Sequence, residues 1–532
     1  VLLKIVLLLV AFLVPGVAAA QADPFDAARG NGAAAAEALE RCDRFVRGWL
    51  ALADPVSGLI PRNTTDLAWV PKDSAADNYP FMVLTTALTD RRLFETRMLE
   101  MLRAEERLSS RVGRLRDEFD FATRSFRHPQ PDTERLMFGT AEYIKDGLLP
   151  LTEYLGPSPW SEQMILMLDD MWARAGVQTP FGDITSTNLE VQGDQLQSLV
   201  RVYWITGDRQ YLDWAIRLGD LYLLGDRHPT RHLRELRLRD HGCEIVGGLV
   251  ELYATLHFVD PAKKQQYREP VHAMLDRILE VGRNEHGLFF DAIDPVAGKP
   301  TAAGISDNWG YTLNAHYTVH LLDDVPAYRD AVRQALSHLN EHYRNYQWEN
   351  GTADLADGHA DAIESALNLY NREPVASAAE WIDDDVRVLW SKQQPSGVIE
   401  GWHGDGNFAR TSIMYALWKS QGLTAHPWRR DLQVGAVRQG DSLYVTLRAD
   451  EPWTGTLRFD VPRHRVHMKL PIDYPRINQF PEWFTVEADS GYAVQSFDPL
   501  ESQEHTGASL ARGLAISVPA GGERRLVITP RR

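Results

Sequence analysis

The run Asp357-Gly358-His359-Ala360-Asp361-Ala362-Ile363-Glu364-Ser365-Ala366-Leu367-Asn368 reads as the opening of a helix that carries two stripes. Ala360, Ile363, Leu367 and Tyr370 form the apolar one, while Asp361, Glu364 and Asn368 fall at i, i+3 and i+7 on the other. With the apolar stripe packed, the polar stripe must face a cavity. Asp361 and Glu364 lie one turn apart, so both cannot ionise freely and one pKa is expected to rise, as a general acid requires. The plainer reading is a solvated helix face with Asp near its start, favoured by the helix dipole.

Five further clusters repeat the pattern. Asp307, Tyr311 and Asn314 align on one face of a segment that also holds Trp309. After Asn188, the positions Glu190, Asp194, Gln197 and Arg201 align. His241 and Glu244 open a helix whose Gly247-Gly248 pair permits close backbone approach. Asp77-Asn78-Tyr79 and Trp402-His403-Gly404-Asp405-Gly406-Asn407-Phe408-Ala409-Arg410 complete the set. Each cluster alone is an ordinary helix cap. Six at the same phase of a repeat predict one site. Asp361, Glu244, Asp307, His241, Tyr311, His359 and Asp405 are the catalytic candidates, with Asp361 paired to Glu244 or Asp307. Asp77, Asn78, Asn188, Glu190, Trp309, Asn314, Glu364, Trp402, His403 and Arg410 are the substrate-binding candidates.

Two inventories fit these side chains. Glycoside hydrolysis needs one carboxylic acid to protonate the leaving oxygen and a second carboxylate to activate water or attack. β-Elimination or epimerisation of a uronate needs a polar or cationic partner for the sugar carboxylate and a Tyr or His to take the C5 proton. Asn188, His241, Tyr311, His359, His403 and Arg410 could supply that. The pairs His359/Asp361 and His403/Asp405 could gather an ion, but hydrogen-bonded histidines at helix starts are commoner, so neither metal nor cofactor is expected. No phosphate loop, nucleotide fingerprint or serine-nucleophile elbow occurs.

The elements that must hold these residues alternate. Amphipathic, charged helices are expected over Arg91–Leu108, Pro159–Ala175, Arg209–Leu224, Ala262–Arg283, Ala327–Tyr346 and Val375–Gln393, with another from Ala33 to Ala53. Between them lie helices richer in Gly, Ala and aromatics, opening near Asp77, Glu134, Asn188, His241, Asp307, Gly358 and Asp405. That spacing is the long period of stacked helical units, here six to seven outer–inner hairpins closed into a ring. The alternation resembles the six-hairpin glycosidase superfamily, whose (α/α) toroids include many glycoside hydrolases and polysaccharide lyases. The resemblance is architectural and covers about four fifths of the chain.

From about Arg430 the period becomes two. Leu432–Arg438 with Ser442–Arg448 around Gly440-Asp441, and Leu514–Val518 with Arg524–Ile528 around Gly521-Gly522, are expected as hairpins. Thr456–Val461, Val466–Leu470, Phe484–Ala488 and Tyr492–Phe497 add strands, giving an antiparallel β-sandwich. At the other end, Lys4, the apolar run Ile5–Val14 and the small residues Gly16 to Ala22 read as a secretory signal peptide. The expected layout is therefore 1–22 signal peptide, 23–429 (α/α) toroid catalytic domain and 430–532 β-sandwich domain, in a periplasmic or secreted protein with no membrane span after signal removal.

Composition narrows the partners. A formal net charge of −17 argues against nucleic acid, while 15 Trp suit both cores and sugar-stacking clefts. Trp69 and Trp348 join Trp309 and Trp402 as loop-side candidates for such stacking. The two cysteines, Cys42 and Cys243, are read as buried free thiols. Asn63 and Asn350 fit a glycosylation sequon. Taken together the sequence points to a secreted enzyme cleaving glycosidic bonds in an oligo- or polysaccharide with paired carboxylates. A polysaccharide lyase or uronate epimerase is the alternative, and a non-catalytic glycan- or protein-binding protein the second. Nothing in the sequence sets an oligomeric state.

Overall fold

The computed structural model describes residues 23–239, 242–348, 355–399, 405–497 and 499–531. Fourteen helical stretches among them alternate in two layers. The odd-numbered, outer layer comprises α1 (Pro24–Leu52), α3 (91–109), α5 (Pro159–Trp172), α7 (Arg209–Leu223), α9 (Pro261–Val281), α11 (Pro326–His342) and α13 (Ala376–Ser391). The even-numbered, inner layer comprises α2 (71–89), α4 (133–155), α6 (Leu189–Thr206), α8 (Glu244–Val259), α10 (Trp309–Asp323), α12 (Asp357–Tyr370) and α14 (Asn407–Ser420). Outer helices start crisply: proline occupies an early position in α1, α5, α9 and α11, where a missing N–H costs nothing. Asp23, Ser158, Asp208 and Asp260 cap α1, α5, α7 and α9 through their side chains.

The burial pattern separates the layers. Outer α7 buries Tyr211, Leu212, Ala215, Leu218 and Leu221 on one face, with Arg209 and Asp213 pairing in solvent. Inner α8 and α14 are buried nearly all round. Each inner helix packs on the next, and α14 returns to α2, so the ring is closed. Two glycines set the spacing. A Cβ on Gly193 of α6 would lie 2.6 Å from the backbone of Glu244 and Ile245, and one on Gly406 would lie 1.9 Å from the Asp77 carbonyl oxygen. Among the described residues the hairpins number seven, the upper of the two expected counts.

The C-terminal part adds eight strands among the described residues: β4 (Thr424–His426), β5 (Gln433–Gln439), β6 (Ser442–Ala449), β7 (Trp453–Arg458), β8 (Gly491–Phe497), β9 (Leu500–Thr506), β10 (Leu514–Val518) and β11 (Gly522–Pro530), following the earlier β1 (Leu236–Arg237), β2 (Phe290–Asp294) and β3 (Lys299–Ile305). They form antiparallel sheets ordered β5-β6-β11-β8-β9 and β10-β7-β4, which bury Leu443, Val445, Leu457, Val494 and Ile528 in one shared core. This unit leans on α1, where the Asn31 side chain donates to the Ala436 carbonyl at 2.9 Å and Arg29 reaches Glu523 at 2.8 Å.

Four expectations need correction. Helix α1 begins at Pro24 rather than Ala33, because Asp23 and Pro24 supply a cap and a first-turn proline. The stretch from Ala33 to Gly422, read as helical by its periodicity, also contains strands: the β2–β3 hairpin packed beside β1, and two small sheets between residues 68 and 126. The Gly440-Asp441 hairpin forms, with Gln439 opposite Ser442, but the Gly521-Gly522 one does not. A tight turn at Pro519–Gly522 sends the chain to the other sheet, so β10 pairs with β7 and β11 with β6. Finally, Val466–Leu470 is not a strand, and Phe484–Ala488 contributes only an isolated bridge between Thr485 and Asp460.

The chain at 467–483 instead runs into the ring. Met468, Leu470, Tyr474 and Phe480 belong to the helical core. Arg476, wholly buried, forks onto Glu153 at the end of α4 at 2.6 and 3.3 Å. Tyr474 donates to Glu251 of α8 at 3.1 Å, and Arg372, just beyond α12, reaches Asp473 at 2.9 Å. These partners lie at or toward the C-terminal ends of inner helices. The segment therefore plugs the ring from the end opposite the clusters. Cys42 and Cys243 are both buried and free. Among the described residues no helix is long and apolar enough to cross a membrane. Residues 1–22 and Asn350 lie outside the described residues.

Candidate active site

At the plugged ring's open end lies a polar cavity of about 200 Å³. Every inner helix except α6 contributes a side chain to its wall. Two of them do so through widened π-type turns, at Pro71–Asn78 in α2 and Tyr143–Leu148 in α4. Such turns change the phase of a helix locally and are frequent at functional sites. Here they carry Lys72, Asp73 and Asp77, and Lys145 and Asp146, to the cavity.

One wall is built on Arg410. Its buried guanidinium donates to Asp361 at 2.5 Å, Asn407 at 2.9 Å and Asn478 at 2.8 Å, and stands 3.0 Å from Glu364. The Tyr311 hydroxyl lies 2.9 Å from Glu364 and 3.2 Å from Asp361. Glu364, fully buried beneath, also accepts the Asn478 backbone N–H at 2.6 Å. Burial pushes its carboxyl up to about 7, with Arg410 opposing and Asp361 adding to the rise. Glu364, held under the wall, is thus raised, and Asp361 faces the cavity against the Arg410 guanidinium. Burial, Asp361 and Glu364 together push the Tyr311 phenol well above its ordinary range.

The second wall is built on Lys145. Its buried ammonium meets Asp146 at 2.7 Å, Glu244 at 3.1 Å and Asp194 at 4.0 Å. Burial opposes its charge, but these carboxylates outweigh it and raise its pKa well above the usual value. Asp77 lines the same cavity. Burial and then the carboxylates of Asp146, Asp73, Glu142 and Asp357 raise it well above the ordinary Asp range. Asp77, so raised, and Asp361, held against a guanidinium, thus share one cavity in contrasting surroundings. The Glu142, Glu190 and Asp194 carboxylates gather within 4.8 Å, and the Lys145 ammonium stands 4.0 Å from Asp194.

Of the residues expected from sequence, Asp77, Glu244, Tyr311, Asp361 and Arg410 line the cavity. Glu364 lies directly behind it. Asp405 is buried beside it, raised by burial and by Asp357, with its side chain accepting the Asn407 N–H at 2.9 Å. Asp307 stands at the rim, 3.4 Å from Arg239. Glu190 approaches Glu142 from α6.

The others are elsewhere. His359 turns outward to Asp385 of α13 at 3.1 Å, because its helix face packs on the outer layer. Trp309, Trp69 and Trp348 are core residues. Asn78 and Asn314 are buried. Asn188 caps α6 through the N–H groups of Glu190 and Val191, and borders a neighbouring groove. His241, Trp402 and His403 lie outside the described residues.

Several cavity residues were not anticipated. Lys145 and Asp146 sit three turns into α4, beyond the cluster at its start. Arg239, Asn308, Asp357 and Asn407 flank expected positions by a few residues. Asn478 arrives from the plug, donating through its side chain to Asp146 at 2.8 Å while accepting from Arg410. It thereby ties the two walls together.

These features define an (α/α) toroid with an acid-rich mouth. No family model and no curated protein matches the sequence. Among solved structures, one similar chain is an inactive variant of the α-1,6-mannanase of Salegentibacter sp. in complex with α-1,6-mannotriose, at 14% identity and TM-score 0.40, covering 52% of this chain and 87% of that one. A family 76 glycoside hydrolase (mannosidase) from Bacteroides thetaiotaomicron is similar at 10% identity and TM-score 0.41, over 72% of this chain and 98% of that one. Cellobiose 2-epimerase from Bacillus thermoamylovorans is similar at 12% identity and TM-score 0.39, over 52% and 86%.

Proposed function

We propose that this protein is a glycoside hydrolase acting on an oligo- or polysaccharide, with the ring's open mouth as its active site. The observation that carries the proposal is the meeting, in one small polar cavity, of carboxyls in contrasting surroundings. Burial and neighbouring carboxylates raise Asp77 well above the ordinary Asp range, and Asp361 is bound to the Arg410 guanidinium at 2.5 Å. Asp77 donates its proton to the departing glycosidic oxygen, and Asp361 activates water or attacks the anomeric carbon. Glu244, paired with Lys145 at 3.1 Å, is the other carboxylate placed to serve as base. Lys72 and Arg239, with Asn308 and Asn407, supply donors and acceptors for sugar hydroxyls.

Of the Tyr and His candidates for the lyase or epimerase alternative, Tyr311 is the one that lines the cavity among the described residues, and it must lose its proton before taking one from C5. Burial and two adjacent carboxylates hold that proton on, which favours hydrolysis. We further propose that residues 23–429 form the catalytic domain, that residues 430–532 complete it through Asn478, and that residues 1–22 direct export. The functional test incubates the protein with a panel of neutral and acidic glycans and weighs the products. Hydrolysis adds one water per bond cut. Products carrying an unsaturated uronate, or intact glycans with inverted carbons, would overturn the reading.

A further inference from the structure

On the outer layer, outside the lining of the cavity, three imidazoles converge. His338 and His342 lie at i and i+4 on α11, so they share a face. His286 comes from the turn between α9 and β2 and stacks on His342, ring centroids 3.8 Å apart and planes 15° from parallel. One ring nitrogen of each lies within 4.8 Å of the others. A tetrahedral ion with nitrogen ligands at about 2.0–2.1 Å holds them about 3.4 Å apart, so the rings would rotate inward, His286 and His342 leaving their stack, to bind one.

The surroundings leave these nitrogens available. The His338 Nδ1 faces the His286 carbonyl at 3.1 Å and the Gln334 carbonyl at 3.0 Å. Two acceptors there fix the proton on Nδ1 and leave Nε2 as the ligating lone pair, the arrangement that orients metal-bound histidines. His286 is held by its backbone: its N–H donates to the Asn284 side chain at 3.1 Å, as does that of Leu288. The Asn284 amide donates in turn to Tyr343 at the end of α11. Two carboxylates flank the group, Glu285 at 3.6 Å from His286 Nε2 and Glu341 at 3.8 Å from His342 Nε2. Either can supply a fourth ligand and offset the charge of a cation. Three imidazoles with ring nitrogens gathered in one place, one of them oriented through its Nδ1 and the group flanked by two acids, carry the inference.

We propose that His286, His338 and His342 bind a divalent ion of the zinc, nickel and copper class, for which imidazole is the favoured ligand. The ion is structural. It clamps the 283–289 turn to α11, and that turn leads through β2 and β3 to Asp307 and Asn308 at the mouth. None of the three histidines touches the cavity where the hydrolysis is proposed, so the inference stands apart from that reading.

The test titrates zinc chloride by calorimetry into the untagged full chain after chelator treatment and desalting. One saturable site per chain is expected, together with a rise in the thermal midpoint on zinc addition. Affinity should fall at least about 10-fold in His342→Ala and in His338→Ala. His342 is partly exposed, so its variant keeps the fold, which circular dichroism verifies. Absence of saturable uptake overturns the assignment. So does uptake unchanged in both variants, or uptake lost only when Glu142 or Asp194 is replaced by the amide, which would move the ion to the mouth.

Discussion

Glu364→Gln is the perturbation whose size the structure sets most directly. The Glu364 side chain has no solvent exposure, and its carboxyl rises from 4.5 to about 7 on folding. The folded protein therefore binds a proton there more tightly than the unfolded chain does. Its contribution is fully present below about pH 4.5 and is lost as pH climbs through about 7. At 1.36 kcal/mol per pKa unit the swing amounts to about 3 kcal/mol. Gln resembles the protonated acid and does not titrate. Urea unfolding of wild type and variant at several pH values between 5 and 8 should give a stability difference that shifts by that amount. The shift should favour the variant as pH rises. Other raised groups, such as Asp77 and Asp405, titrate in both proteins and cancel in the difference. Parallel pH profiles for the two proteins would refute the placement of a strained carboxyl under the Arg410 wall.

Two further substitutions probe the walls. Lys145→Met leaves Asp146, Glu244 and Asp194 without their buried cation, and chemical unfolding should show a loss of about 3–5 kcal/mol at pH 8. The loss should shrink at pH 5, where the orphaned carboxylates can take up protons. Asn478→Ala removes the side chain joining Arg410 to Asp146. It should cost about 1–3 kcal/mol of stability, while turnover on the glycan identified by screening falls about 10-fold through misplacement of both walls.

How far the residues themselves disclosed this arrangement depends on which physical signal each element carries. The hairpins were legible because outer helices are wet on one face and inner ones on none, a contrast that α7 and α8 display in their residue order. Asp361, Tyr311 and Arg410 were legible for a related reason. Each stands in the first turns of an inner helix, and its phase relative to the apolar stripe points it inward. Lys145 and Asp146 escaped because the widened turn at Tyr143–Leu148 shifts the phase of α4 midway, and regular periodicity cannot anticipate that. His359 was misdirected for lack of its partner. Only the fold brings Asp385 alongside, 26 positions later in the chain. Asn478 carried no signal, since the plug has neither helical nor strand period and its neighbours read as β-structure. Its role depends on long-range ion pairs such as Arg476 with Glu153, 323 positions apart.

The measurement that bears most directly on the proposed chemistry is turnover by Asp77→Asn and Asp361→Asn on the substrate found in the glycan panel, with each variant's thermal midpoint recorded alongside. Both substitutions are nearly isosteric and leave the ring intact. If Asp77 supplies the proton and Asp361 the base or nucleophile, each variant should lose about 100-fold or more in kcat, with its fold retained. Near-full activity in either folded variant would contradict the account. So would survival of both alongside complete loss in Tyr311→Phe, which would transfer the chemistry to proton abstraction.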